Sequence, residues 1–159
     1  LLWLKEQEDA GLDIVGDGPD RLALEQRAKQ LGIADRVNFC GYVENPEAYY
    51  SRAEVVVQPC EAETFGLVLF EAAHYRKPLI APAGGMAGRV IPDLVPGLTT
   101  KPEPHSFATA IESLKKTPIP DDEFDDAAHR RRTVQESIIP RWEKLIGAVD
   151  AAGRQSHHS

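Results

Sequence analysis

The sequence predicts an α/β protein, a Rossmann-like three-layer arrangement of a parallel sheet with helices on both faces. Three features predict it. Short apolar runs at 12–15, 37–40, 55–57, 79–81 and 97–99 alternate with segments of helical periodicity, the order that builds βαβ units. The run around Val55-Val56-Val57 is β-branched and continuous rather than alternating, as strands covered on both faces are. Turn residues follow the runs: Gly16-Asp17-Gly18-Pro19 after the first, Pro59-Cys60 after the third, Pro82-Ala83-Gly84-Gly85 after the fourth.

The elements follow in order. Residues 1–5 read as the end of a helix that starts earlier, and the chain opens on Leu1, so it is expected to be a piece of a longer protein. After the first strand, Pro19 suits a helix start, and Gly32 a stop. The helix between them is expected to turn Leu22, Leu24, Ala28 and Leu31 inward. Asn45-Pro46-Glu47 opens a short helix through Tyr49, Tyr50 and Ala53. A helix led by Glu63 follows the third strand, with Leu67, Leu69, Phe70 and Ala73 as its apolar face. Residues 87–91 form a helical turn. Residues 106–116 form a helix with Phe107, Ala110, Ile111 and Leu114 on one side.

Domain boundaries are expected at 1–117 for the Rossmann-like part, 118–150 for a charged helical extension and 151–159 for a disordered tail. Thr117-Pro118-Ile119-Pro120 is the linker, and Pro140 is expected to break the extension. Val134, Ile138, Trp142, Leu145 and Ile146 are its candidate buried face.

Composition narrows the function. The 159 residues carry a net charge of −7 with no basic block, which excludes a nucleic-acid partner on global charge. No apolar run nears the roughly 20 residues that span a bilayer. Residues 1–5 lack the length and basic start of a signal peptide. Cys40 and Cys60 have no metal-ligand spacing and read as free thiols of a reducing cytoplasm.

The chemistry concentrates in Glu61-Ala62-Glu63-Thr64-Phe65-Gly66-Leu67-Val68-Leu69-Phe70-Glu71. A strand-loop-helix turn in an open α/β sheet faces the ligand crevice. Glu63 stands at the expected helix mouth and Glu71 eight residues on, about 12 Å along a helix. The N–H groups at the helix start seat an anion, and Gly66 lets backbone approach it closely. A phosphate flanked by hydroxyl groups fits this pattern, as in a nucleotide sugar. Taken singly, Glu63 is equally a dipole-favoured first-turn acid and Glu71 a solvated helix charge.

Taken whole, the stretch resembles the E-x7-E region of retaining glycosyltransferases, the group that includes glycogen synthase, sucrose synthase and many bacterial mannosyl- and glucosyltransferases. The likeness covers about residues 12–116. Leu12-Asp13-Ile14-Val15-Gly16-Asp17-Gly18-Pro19, Arg36-Val37-Asn38-Phe39-Cys40-Gly41-Tyr42-Val43, Ala53-Glu54-Val55-Val56-Val57-Gln58-Pro59, Ala83-Gly84-Gly85 and Pro96-Gly97-Leu98 are similar to further family segments in the same order. The resemblance implies the donor-binding half of a two-domain GT-B enzyme that moves a hexosyl group from a nucleoside-diphosphate sugar to an acceptor hydroxyl.

It implies that Glu63 is catalytic and lies against the transferred sugar. Glu71 holds the donor ribose, backbone amides of Phe65, Gly66 and Leu67 meet the diphosphate, Gly16 shapes the pocket, and the Tyr42-Val43 backbone meets the base. No metal and no cofactor beyond the donor are expected. The expected partners are a nucleotide sugar and an N-terminal acceptor-binding domain; location is cytoplasmic, with contact to a membrane surface left open.

Departures from the family pattern matter. Gly88 stands where the G-G-x-x-E loop has its acid, Arg76 replaces the glycine that ends the central helix, and the diphosphate-clamping Arg and Lys have no counterpart after Leu1. The chain alone is therefore expected to bind a nucleoside diphosphate weakly without turnover. A non-catalytic scaffold stays open as an alternative, and a sugar-nucleotide epimerase less so. Methyltransferase and NAD readings of Gly16-Asp17-Gly18 fail on the absent acid after the second strand, where Phe39-Cys40 stands, and the NAD reading also on its missing third glycine. His74 and His105 read as packing, capping or surface residues. Arg130-Arg131-Arg132 reads as a solvated or ion-paired cluster.

Overall fold

The computed structural model describes residues 1–61, 66–91 and 93–155, with side chains through residue 140. It falls into two units, Leu1–Ile119 and Pro120–Ser159.

Among the described residues the first unit has five strands, and every pairing between them is parallel. They are β1 (Leu12–Val15), β2 (Val37–Gly41), β3 (Val56–Val57), β4 (Leu79–Pro82) and β5 (Gly97–Thr100). The parallel arrangement is the one the sequence predicts, and among the described residues its hydrogen bonds form two ladders, β1-β2 and β3-β4-β5. β3 is shorter than its β-branched run, but bonds at its ends lengthen the contact. Val56 N–H donates to the Pro78 carbonyl and Gln58 N–H to the Ile80 carbonyl, each at 2.9 Å.

β4 is the central strand of its ladder and is buried at all four positions. Because strand side chains alternate faces, its residues enter two different cores. Leu79 and Ala81 pack with Tyr50 of α3 (Glu47–Arg52), with Leu69, Ala72 and Ala73 of α4 (Leu67–His74), and with Ala87 and Val90 of α5 (Ala87–Val90). Ile80 packs on the other side with Ala110 and Leu114 of α6 (Pro104–Lys116). This alternation is the physical content of helices on both faces. Leu69, Leu79 and Ile80 are wholly buried, so truncating any of them to alanine costs about 2–5 kcal/mol.

β1 and β2 pack with α1 (Leu2–Lys5) and α2 (Arg21–Gln30) through Leu4, Ala28, Ile33 and Val37. The inward stripe of α2 differs from the expected one. Leu22 is 65 % exposed and Leu24 is exposed as well. Arg21, Glu25 and Ala28, at helical spacing, turn inward instead. Arg21 donates through Nη2 to the Phe39 carbonyl (3.1 Å) and through Nε to Glu25 (2.9 Å). The guanidinium is satisfied by a carbonyl in the middle of β2, and of the expected inward residues Ala28 and Leu31 do pack on the core.

In the second unit, α7 (Asp121–Gln155) is continuous through Pro140, where the sequence predicts a break, and reaches into the segment read as a tail. Val134 and Ile138, expected to be buried, are exposed, whereas Phe124 and Ala127 are buried. The side chains of Trp142, Leu145 and Ile146, and residues 156–159, lie outside the described residues.

α4 ends in a Schellman motif. Lys77 N–H donates to the Ala72 carbonyl (2.8 Å) and Arg76 N–H to the Ala73 carbonyl (3.2 Å). The motif requires a left-handed residue, and Arg76 occupies it at φ +54°. A side chain there costs about 1 kcal/mol relative to glycine. Arg76→Gly is therefore expected to be more stable than Arg76→Ala by about 1 kcal/mol in urea unfolding, since both lose the side chain and only glycine relieves the backbone.

Candidate functional site

The described candidate residues follow the carboxyl ends of the parallel strands, where open α/β sheets bind ligands. At the end of β1, Gly16 has φ +123° and donates its N–H to the Gly41 carbonyl at 2.8 Å. A Cβ built on Gly16 would meet nothing within 4 Å among the described residues. Tyr42 follows β2 and is 83 % exposed, and Val43 is half-buried. Gly16, Tyr42 and Val43 thus form one group, on the β1-β2 ladder.

The second group is on α4, after β3. The helix starts at Leu67, later than the sequence predicts, with Gly66 as N-cap. Glu63 and Phe65 lie outside the described residues. The 12 Å helical spacing inferred for the two glutamates rests on Glu63 and so lies outside the described residues. Glu71 falls on the second turn, one turn below Leu67 on the same face. Leu67, expected in the apolar core, is 69 % exposed. It sits in the first turn, ahead of the positions that reach β4.

Gly66 is buried and left-handed at φ +67°. A Cβ there would stand 2.8 Å from Leu69 Cδ1 and 2.9 Å from Met86 Cγ. The space spared by the missing side chain is thus filled by protein, not held open for a ligand. The same contact joins the α4 start to the loop after β4, and Glu61 Oε1 comes close to Gly84 in that loop. Two loops and one helix start therefore converge above β3 and β4. Within α4 the N–H groups of Leu67 and Val68 have no helical carbonyl to bond, so that end presents donors and a positive dipole end.

Gly88 explains why the loop carries no acid. A Cβ there would collide with the Ala83 carbonyl. The α5 start lies directly on the strand-end backbone, so this geometry admits no side chain at position 88.

Glu71 has a partner that the sequence reading missed. The Tyr50 hydroxyl donates to Glu71 Oε2 at 2.7 Å. The Tyr50 ring stacks on Tyr75, with centroids 5.2 Å apart and planes 5° from parallel. Tyr75 meets His74 edge-on at 5.0 Å, and His74 is exposed, within the packing or surface placement expected for it. Burial, then the Glu71 carboxylate, push the Tyr50 phenol well above the ordinary tyrosine range. The only signal in the sequence was a tyrosine on the inward side of a short helix, whose hydroxyl must find an acceptor. The pairing partner, in another element, was not readable. Among the described residues no three potential metal ligands gather, and no helix is long and apolar enough to cross a membrane.

The family comparison is decisive. The profile of glycosyl transferases group 1 matches residues 1–131. The chain belongs to that family. Among curated relatives, the group 1 domain is 32 % identical over 148 residues to an alpha-D-kanosaminyltransferase of Streptomyces kanamyceticus, covering 91 % of this chain and 38 % of that protein. It is 35 % identical over 139 residues to D-inositol 3-phosphate glycosyltransferase 2 of Catenulispora acidiphila, covering 86 % and 30 %. Among solved structures, a sucrose-phosphate synthase from Thermosynechococcus elongatus superposes with TM-score 0.78 at 28 % identity, over 95 % of this chain and 41 % of that one. Anabaena HepE in complex with UDP superposes at 0.76 and 22 % identity, over 92 % and 43 %, a likeness of fold. The group 1 domain thus spans less than half the length of these relatives, and its fold is one Rossmann-like half of the GT-B type.

The raised Tyr50 phenol has a consequence for stability. Above pH 10 the unfolded chain releases this proton while the folded chain keeps it, so stability present below pH 10 declines as pH rises further. Unfolding midpoints measured from pH 8 to 11 should fall less steeply for Tyr50→Phe than for the native protein.

Proposed function

We propose that this group 1 domain binds the nucleoside-diphosphate sugar of a retaining glycosyltransferase, which moves a hexosyl group to an acceptor hydroxyl supplied with a second, N-terminal domain. The observation that carries the reading is the α4 start. Gly66 at that start packs against Met86 of the loop after β4, and Glu71, one turn on, is anchored by Tyr50. These observations support an anion seat at the helix start with a hydroxyl acceptor one turn along.

In this reading the diphosphate sits on the amides of Phe65, Gly66 and Leu67, where the helix dipole stabilises charge that grows as the glycosidic bond to phosphate breaks. Glu71 accepts from ribose hydroxyls. Glu63 is catalytic and lies against the transferred sugar. Gly16 leaves room for the donor, and the Tyr42-Val43 backbone edges the base. The helix dipole takes the place a metal would otherwise hold. The UDP complex of Anabaena HepE supports a nucleotide at such a fold.

A second reading, a binding scaffold without turnover, is favoured by Gly88, whose backbone contact leaves no room for an acid. Binding and turnover separate the two. The intact protein is expected to bind UDP, GDP or ADP, and Glu71→Ala to weaken that binding about tenfold or more by titration calorimetry, as loss of a charged hydrogen-bond acceptor does. Transfer from the matching nucleotide sugar, with the anomeric configuration of the product unchanged by NMR, supports the enzyme. Binding with no transfer to any acceptor supports the scaffold, and no binding of any of the three overturns both.

A further inference from the structure

The hydrogen bond from Tyr50 to Glu71 does more than satisfy a buried phenol. A glutamate on a helix surface keeps several rotamers, and ordering it on a ligand costs conformational freedom. Here that freedom is removed before any ligand arrives. Tyr50 is 8 % exposed, and its ring lies flat against Tyr75, one helical turn beyond Glu71. The same residue therefore grips α4 at two successive turns, by ring and by hydroxyl. A third tie, from Lys77 Nζ to the Ser51 carbonyl at 3.0 Å, fixes α3 against the chain just after α4. Neither partner can swing without breaking a packed contact.

The direction of the bond is fixed too. A phenol donates one proton, and burial keeps that proton on Tyr50. Glu71 must then accept, through Oε2, and among the described residues its Oε1 accepts no hydrogen bond. Glu71 is half-buried, so a ligand can reach it.

We propose that Tyr50 is a positioning residue for donor recognition: by holding Glu71 Oε2 it presents Oε1 in one orientation to the donor's ribose hydroxyls, and so sets the preference for ribonucleotides over deoxyribonucleotides. The inference rests on the donor-binding reading of Glu71. It differs from a plain core tyrosine, whose loss would change stability and nothing in ligand choice.

The test uses the intact protein with UDP, GDP and ADP and their 2′-deoxy counterparts. The ratio of deoxy to ribo dissociation constants is measured for whichever base binds. The native protein is expected to prefer the ribonucleotide about tenfold, a single charged hydrogen bond. Tyr50→Phe keeps the stacked ring and should bring the ratio close to one by weakening the ribonucleotide alone. If Tyr50→Phe melts below the assay temperature, Tyr50→Met is read instead. Tyr75→Leu, which removes the stack and spares the hydroxyl, should lower the melting temperature and keep the ratio. In a Glu71→Ala background, Tyr50→Phe should change the ratio no further.

A native ratio surviving in Tyr50→Phe, while Glu71→Ala abolishes it, overturns the role of Tyr50 and leaves the donor reading standing. Glu71→Ala without effect on any of the nucleotides overturns both.

Discussion

Helix α4 is held at three places, and the site depends on all of them. Its middle is fixed by Leu69, Ala72 and Ala73 packed with Leu79 and Ala81 of the buried strand β4. Its start is fixed by Gly66, which is left-handed and closed in by Leu69 and Met86. Its outer flank is fixed by Tyr50, through one hydrogen bond and one stacked ring. A helix that could slide or rotate would carry its leading amides and Glu71 away from each other. Close packing makes such motion costly, since a well-filled core has no neighbouring position of similar energy.

The structure shows a division of labour between the faces of the sheet. β4 sends Leu79 and Ala81 to the side that carries α3, α4 and α5, and Ile80 to the side that carries α6. The candidate residues on α4 belong to the first side. α6 closes the opposite face and reaches α1 through the Trp3 indole, which donates to Glu112 at 2.8 Å. Substitutions in either core, at Ala110 or Leu114 of α6 as at Leu69 or Ala72 of α4, should therefore act through stability. The short α3 matters more than its length suggests, because it carries Tyr50 and also Arg52, which pairs with Asp13 of β1 at 2.7 Å.

Much of the fold was legible from residue pattern. The β-branched run before Pro59, the turn glycines and the period of 106–116 located the strands and α6 correctly, because burial on both faces leaves a strong apolar signature. The left-handed end of α4 was legible as well, as an arginine in a place that wants glycine. Rotations of helices were not. α2 turns Arg21, hydrogen-bonded to a strand carbonyl, toward the sheet and leaves Leu22 and Leu24 out, and no leucine periodicity encodes that. Pro140 was misread because a proline inside a helix removes one bond and bends the chain without always ending it. In the site, Glu71 and Gly66 were visible by their order. The start of α4 was not, since a glycine N-cap gives a weaker start signal than Ser or Asp. Tyr50 escaped because its partner is 21 residues away in another element.

Family membership and local geometry support different parts of the account. The first identifies the kind of domain; the second explains why a helix start and one carboxylate are held in fixed relation above β3 and β4. The most direct measurement is a crystal structure of the intact protein with a bound nucleoside diphosphate. The account predicts the diphosphate within hydrogen-bonding distance of the first N–H groups of α4, and a ribose hydroxyl on Glu71 with the Tyr50 bond intact. A nucleotide bound away from that helix start, or a ribose that leaves Glu71 untouched, would contradict it.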